Sequence, residues 1–387
     1  MSKNDDNAPI SAEQFMKELR RYQKGSISRR HFLGVTGLGA ATAVMASAMP
    51  MLAGAGRAQA ATIGDRVSIA TWPNYYDPAN FEQFTKDTGA AVQVSVFGSN
   101  EEMLAKLQAG GTGWDVFVPT NYTISTYVEL DLIQPLDLSR LPNFNEKYYI
   151  KRFIEPGTVN GKVYAVPKNW GTTGFVLNRK KVTSNPTTWK EFWDLCKTDA
   201  KNRVMVHDYQ LTTIGNALKY FGYSFNSVDP KELADAEKLL LDVKPHLFAI
   251  NSDYQPSMRS GDAWMSVAWT GDGLQLHRDI PEIDYVLGKE GGELWSDFYA
   301  IPKEAPRVDA AYAFINFLID PEVNAKEVHA HGYPVPDNRT TALLPKEMTE
   351  NPIMYPAQEL LNALEFGAAV TLTDPLRAEI MARFKAA

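Results

Sequence analysis

The chain has 387 residues, enough for two domains with cores of their own, and its composition of 44% hydrophobic and 22% charged residues is that of an ordinary globular protein. Residues 1–60 carry 8 of the 39 Lys/Arg and 4 of the 46 Asp/Glu, so the remainder holds 31 basic and 42 acidic residues, a net charge of −11. An acidic surface repels phosphate backbones, which argues against nucleic acid as a partner, and a single cysteine, Cys196, excludes an internal disulfide.

The N-terminus reads as an address. Ser28-Arg29-Arg30-His31-Phe32-Leu33 is a twin-arginine pattern, a weakly apolar run follows over 34–56, and Ala58-Gln59-Ala60 is a small-x-small cleavage signal. The run is interrupted by Thr36, Thr42, Ser47 and Pro50 and is built of Gly and Ala rather than Leu and Ile, which is poor for a permanent span. Residues 1–60 are therefore expected to be a cleaved twin-arginine signal peptide, and the protein is expected in the periplasm.

Strand patterns at 67–72, 92–97 and 114–119 alternate with helix patterns at 78–88 and 101–109. Gly89 stops the first helix, and Ser99 with Glu102 reads as a capping box for the second. This β-α-β-α-β order argues for parallel strands with crossover helices. Strands are expected again at 163–167, 174–178, 203–206, 264–269 and 298–302, with helices at 189–198, 212–220, 230–243 and 310–318. Cys196 lies in the amphipathic stretch 192–196 and reads as a buried structural thiol.

Patterns for chemistry are weak. Gly34-x-x-Gly37-x-Gly39 follows no strand, His329 and His331 are two apart and share no helical face, and no Gly-x-Ser-x-Gly elbow occurs. No cofactor, metal site or catalytic residue is expected. What stands out is a set of aromatics and carboxylates at strand ends: Trp72 and Tyr75, Thr120-Asn121-Tyr122, Asp208, Trp269 with Asp272, and Trp295 with Asp297. Ligands of open α/β sheets bind at the carboxyl ends of strands. Aromatic faces attract cations and carboxylates supply the counter-charge, a combination suited to an alkyl chain bearing ammonium groups. A single Trp is more often core than ligand wall, and a single Asp after a strand is usually a helix cap. Periodicity alone therefore stops at an α/β protein with an aromatic-rich cleft.

Several short pieces, in order and at matching spacing, carry a resemblance. They are Trp72-Pro73-Asn74-Tyr75, Ser99-Asn100-Glu101, Trp114-Asp115-Val116-Phe117-Val118-Pro119, Tyr164-Ala165-Val166-Pro167, Phe221-Gly222-Tyr223-Ser224, Asn251-Ser252-Asp253, Lys289-Glu290-Gly291-Gly292, Asp297 with Ala300-Ile301-Pro302, and Gly332-Tyr333-Pro334-Val335-Pro336. Over nearly all of 65–387 the chain resembles the bacterial periplasmic polyamine-binding proteins of spermidine/putrescine transport systems. The resemblance implies a two-lobe periplasmic-binding-protein fold, each lobe a mixed sheet flanked by helices, with a hinge of crossing strands. By analogy lobe 1 comprises 61–172 and 297–341, lobe 2 comprises 173–296 and 342–387, and the crossings fall near 171–174, 294–298 and 341.

Carried over residue by residue, Trp72, Tyr75, Tyr122, Trp269, Trp295 and Tyr333 look like an aromatic box, with Thr120 where a Ser is commoner. Asp297 looks like the carboxylate that grips an amino group. Asp208 matches an acidic position of the other lobe, and Asp272 resembles the second carboxylate of the putrescine-type members. Leu211-Thr212 stand where an acid usually follows Asp208, and the C-terminal contact aligns only loosely near Glu365-Phe366. The implied function is that of a monomeric, periplasmic substrate-binding component of an ABC importer. It would take a polyamine, putrescine-like rather than spermidine, and hand it to an inner-membrane permease. The alternatives are another small cationic or amino-acid-like solute on the same scaffold, a receptor lobe without transport, or a hydrolase using Asp272 and Asp297 as an acid–base pair.

Overall fold

The computed structural model describes residues 63–386; the proposed signal peptide, 1–60, lies outside the described residues. Strands β1 (Arg66–Thr71), β2 (Ala91–Val96) and β3 (Val116–Phe117) form the parallel unit the sequence implies, β1 pairing with both of the others. The helix Pro78–Thr88 starts where the Asp77 side chain accepts from Ala79 N and stops at Gly89, whose φ of 80° is the left-handed cap. In the helix Asn100–Ala109, Ser99 Oγ accepts from Glu102 N, but the Glu102 carboxylate takes Gly98 N, one residue earlier than a standard capping box. β3 is shorter than the expected 114–119. The Asp115 carboxylate is instead bound by Ser68 N, Arg307 N and Arg307 Nε at 2.7–2.9 Å, pinning the strand to the segment before the helix Val308–Leu318.

A short hairpin of β4 (Thr158–Val159) and β5 (Lys162–Val163) leads into the element that organises the molecule. The expected strands 163–167 and 174–178 are joined in one 14-residue strand, β6 (Ala165–Asn178), buried over all but its last residue. Its antiparallel partner also differs from expectation: the strand expected at 298–302 begins at Gly292 and ends at Ala300. The polar run Glu293, Ser296, Asp297 reads as a loop, yet all three side chains are buried inside this strand. Asp297 therefore lies mid-strand rather than at a strand start.

Between these two come β7 (Val204–Val206), β8 (Ala249–Ile250), β9 (Met265–Trp269) and β10 (Ile283–Val286). The Gly292–Ala300 strand is β11, and β12 (Leu364–Phe366) pairs with its start. The sheet runs β2-β1-β3-β11-β6-β9-β7-β8, with β10 on β6 and β12 on β11. β6 and β11 thus serve both sides: β3, β1 and β2 continue from one, and β9, β7 and β8 from the other. They pair from Glu293↔Thr173 to Ala300↔Ala165, with one register shift that sets Asp297 opposite Asn169 and Phe298 opposite Pro167. Pro167 has no N–H to give a ladder, which suits it to that irregularity.

Separate cores flank the two sides. One packs Val67, Ile69 and Val116 against Phe84, Phe314 and Ile315 of the helices Pro78–Thr88 and Val308–Leu318. The other packs Val204, Val206 and Val267 against Phe192, Trp193, Ile214 and Leu240 of the helices Trp189–Leu195, Gln210–Tyr220 and Pro230–Val243. The first and second of these helices differ by a few residues from expectation; the third matches it. Cys196 is buried in the second core, where burial pushes its thiol pKa up, and the thiol donates to Phe192 O. No helix among the described residues is long and apolar enough to cross a membrane.

Candidate ligand-binding site

A cavity of about 170 Å³ opens where β6 and β11 meet the carboxyl ends of β1, β3, β7 and β9, and every site residue expected from the sequence lines it. Trp72 follows β1; its Nε1 donates to Val118 O at 3.2 Å, and its ring meets Trp269 edge-on at 6.5 Å. Thr120 and Tyr122 follow β3 and are held together by Asn100, whose Nδ2 donates to Thr120 Oγ1 and to Tyr122 Oη at 3.1 and 3.0 Å. Asp208 follows β7 and accepts from Ser252 Oγ. Trp269 ends β9, its ring tilted 38° against buried His207 at 4.4 Å, with Nε1 donating to Tyr209 Oη. Burial lowers the His207 pKa to about 3, so the imidazole beside the indole is neutral. Asp272, in the first turn of the helix Thr270–Asp279, accepts from Tyr333 Oη at 3.0 Å.

β11 supplies the floor. Trp295 lies opposite Gly171 of β6, and a Cβ at 171 would fall 2.4 Å from the indole. Only glycine lets the ring approach the neighbouring strand this closely. Tyr333 packs edge-on against both Trp295 and Tyr75, with centroids 5.2 and 5.1 Å apart.

Asp297 is 4% exposed; its Oδ2 is 2.7 Å from Tyr75 Oη, which is 2.5 Å from Asn169 Oδ1. One hydroxyl proton cannot serve two acceptors. The contacts close when the Asn169 amide is turned so that its Nδ2, otherwise without a partner among the described residues, donates to Tyr75 Oη and the hydroxyl donates to Asp297 Oδ2. Burial raises the Asp297 pKa to about 7, against the lowering effect of the Tyr75 hydrogen bond and the Lys168 charge. Oδ1 has no partner among the described residues. Nearby Lys168 is equally buried, but its ammonium faces Glu327 at 3.7 Å, and Asn80 and Asp77 N also bind that glutamate.

Sequence reasoning missed Glu293, together with Asn100, Tyr209, Ser252 and Gln255, as cavity residues. Glu293 is 3% exposed, and its Oε2 accepts from Thr173 Oγ1 at 2.6 Å and Thr212 Oγ1 at 3.3 Å. Burial raises its pKa to about 7 as well, and Asp297 adds to the shift. Glu293, Trp295 and Asp297 alternate along one strand and share a face; a strand drawn back to Gly292 would have shown it. Glu365, aligned loosely as a C-terminal contact, is not in the lining; it pairs with Lys219 and accepts from Phe225 N.

The family profile of bacterial extracellular solute-binding proteins matches residues 79–356. The chain belongs to this family. It is a solute-binding protein of the two-lobe type and not an enzyme, so the acid–base pair considered for Asp272 and Asp297 has no reaction to serve. The chain is 31% identical over 334 residues to the spermidine/putrescine-binding periplasmic protein of Salmonella typhimurium, spanning 84% of this chain and 93% of that one. It is 32% identical over 327 residues to the putrescine-binding periplasmic protein SpuD of Pseudomonas aeruginosa, spanning 80% and 88%. Among solved structures it is similar to the spermidine/putrescine ABC transporter substrate-binding protein PotD of Streptococcus pneumoniae, with a TM-score of 0.68 and 31% identity, covering 84% of this chain and 99% of that one.

The raised carboxyl pKa of Asp297 has a measurable consequence. In the unfolded chain it ionises near the ordinary aspartate value of 3.8, whereas the folded protein holds the proton to about pH 7. Between these values the folded state binds more protons, so this group's contribution to stability falls as pH rises. Asp297→Asn is expected to gain melting temperature relative to the parent, by a few degrees, as pH goes from 5 to 7.5 without ligand. Scanning calorimetry at matched ionic strength checks it; a pH-independent difference would contradict the protonation.

Proposed function

We propose that this protein is the periplasmic substrate-binding component of an ABC importer. It captures a polyamine, putrescine-like in preference to spermidine, and passes it to an inner-membrane permease. The carrying observation is Asp297: a buried carboxyl at the cavity floor, ringed by Trp295, Tyr75 and Tyr333, with one oxygen unpartnered and no ion pair among the described residues. A ligand ammonium supplies the missing charge, and the aromatic faces take its methylenes and add cation–π attraction. In this reading Trp72, Tyr122 and Trp269 wall the cavity with Thr120, while Asp208 and Asp272 add negative charge. The names of the relatives in Salmonella and Pseudomonas support the ligand class, and their periplasmic description supports the location.

The protein works as a monomer that closes on its ligand. Lobe 1 comprises 61–172 and 297–341, and lobe 2 comprises 173–296 and 342–387; the continuous β6–β11 pairing across these boundaries supports the division.

Asp297→Asn keeps the shape and removes the charge. Leaving a buried ammonium without its partner costs roughly 3–5 kcal/mol, so the dissociation constant for putrescine should rise at least about a hundredfold. The effect of Trp295→Ala should be smaller. Calorimetric titration decides it, and undiminished binding by Asp297→Asn would sink the assignment.

Export is proposed to use Arg29-Arg30. Replacing both with Lys should retain the protein in the cytoplasm on cell fractionation; unaltered export would refute the twin-arginine route.

A further inference from the structure

We infer that Glu293 is a second ammonium subsite, set across the Trp295 indole from Asp297, so that the cavity grips a diamine by both ends from a single strand. The inference rests on the polyamine reading and adds a residue that the sequence pattern did not single out.

The first support is placement. Positions 293, 295 and 297 of β11 face the same way and all line the cavity, which produces the order carboxylate, indole, carboxylate along one strand face. At about 3.3 Å per residue the two outer Cα atoms are about 13 Å apart. A four-carbon diamine in its staggered, extended form separates its nitrogens by about 6 Å. A charge-assisted hydrogen bond of ~2.8 Å at each end brings the span to about 12 Å, within reach of the two side chains. The butylene segment then lies against the indole of Trp295, which is seated close to Gly171.

The second support is an uncompensated charge. Glu293 is 97% buried by its 3% exposure, and no Lys or Arg among the described residues forms an ion pair with it. The buried cations nearby are engaged elsewhere: Lys168 with Glu327, and Lys219 with Glu365. The Thr173 and Thr212 hydroxyls both donate to Oε2, which orients the carboxylate and favours its ionised form while leaving Oε1 to a ligand donor. A glutamate needed only to tie β11 to the helix Gln210–Tyr220 would require no charge there; glutamine could accept both hydroxyls.

A cycle of ligand charge against protein charge tests this on the full chain. Putrescine and 4-amino-1-butanol have nearly the same length but differ in one ammonium. The parent should prefer putrescine by at least ~30-fold, and Glu293→Gln should reduce that preference to about threefold or less. Glu293→Asp, which keeps the charge, should retain most of it and shows that loss in Glu293→Gln is not general damage. Melting curves of each variant confirm folding. A Glu293→Gln protein that still prefers putrescine ~30-fold would overturn the subsite while leaving the polyamine reading standing. A parent that binds neither amine would overturn that reading, and this inference with it.

Discussion

Carboxylates are expensive to bury without cations, and this fold concentrates them in one place. Asp297 and Glu293 are almost fully enclosed, Asp272 lies beside them, and none has an ion pair among the described residues. Desolving an ion costs several kcal/mol, and hydrogen bonds alone return only part of it. The raised carboxyl pKa values are the same cost expressed in protons: without a cation the groups hold on to hydrogen up to about pH 7. A cationic guest of the kind proposed would remove that cost.

The rest of the architecture follows from where those carboxylates are mounted. β6 and β11 are long, buried along nearly their whole length and paired to each other, and on its other side β11 meets β12 at Gly292–Leu294, Thr120 at Asp297 and β3 at Ala300. The register shift at Asp297 and Phe298 coincides with Pro167, and the residue looped out of the pairing, Lys168, turns to Glu327 rather than to Asp297. Had that lysine reached Asp297, the protein would have supplied internally the charge that a ligand is proposed to bring. Gly171 completes the device by making room for the Trp295 indole.

Much of this was legible in the sequence. The β-α-β-α-β opening, the helix over 230–243 and the strand-end aromatics were read from periodicity and caps, and all ten expected site residues face one cavity. Resemblance to relatives, not periodicity, picked those ten from the other aromatics and acids. What escaped did so for a physical reason. Glu293, Ser296 and Asp297 carry the chemistry of a loop, and strand propensity is a statement about half-buried pleated surfaces. Their pairing with β6 is a long-range contact between positions about 120 residues apart, which no local window senses. Missing the first half of β11 hid Glu293, because its alternation with Trp295 and Asp297 has meaning only on a strand. Joining 163–167 to 174–178 failed likewise, since Lys168, Asn169 and Gly171 between them argue locally for a break.

A crystal structure of the protein with putrescine bound tests the central claim most directly. The account predicts one ammonium nitrogen in hydrogen-bond contact with Asp297 and the other with Glu293, with the methylenes against the Trp295 indole. A diamine seated elsewhere, or one that leaves both β11 carboxylates without a cation, would contradict it.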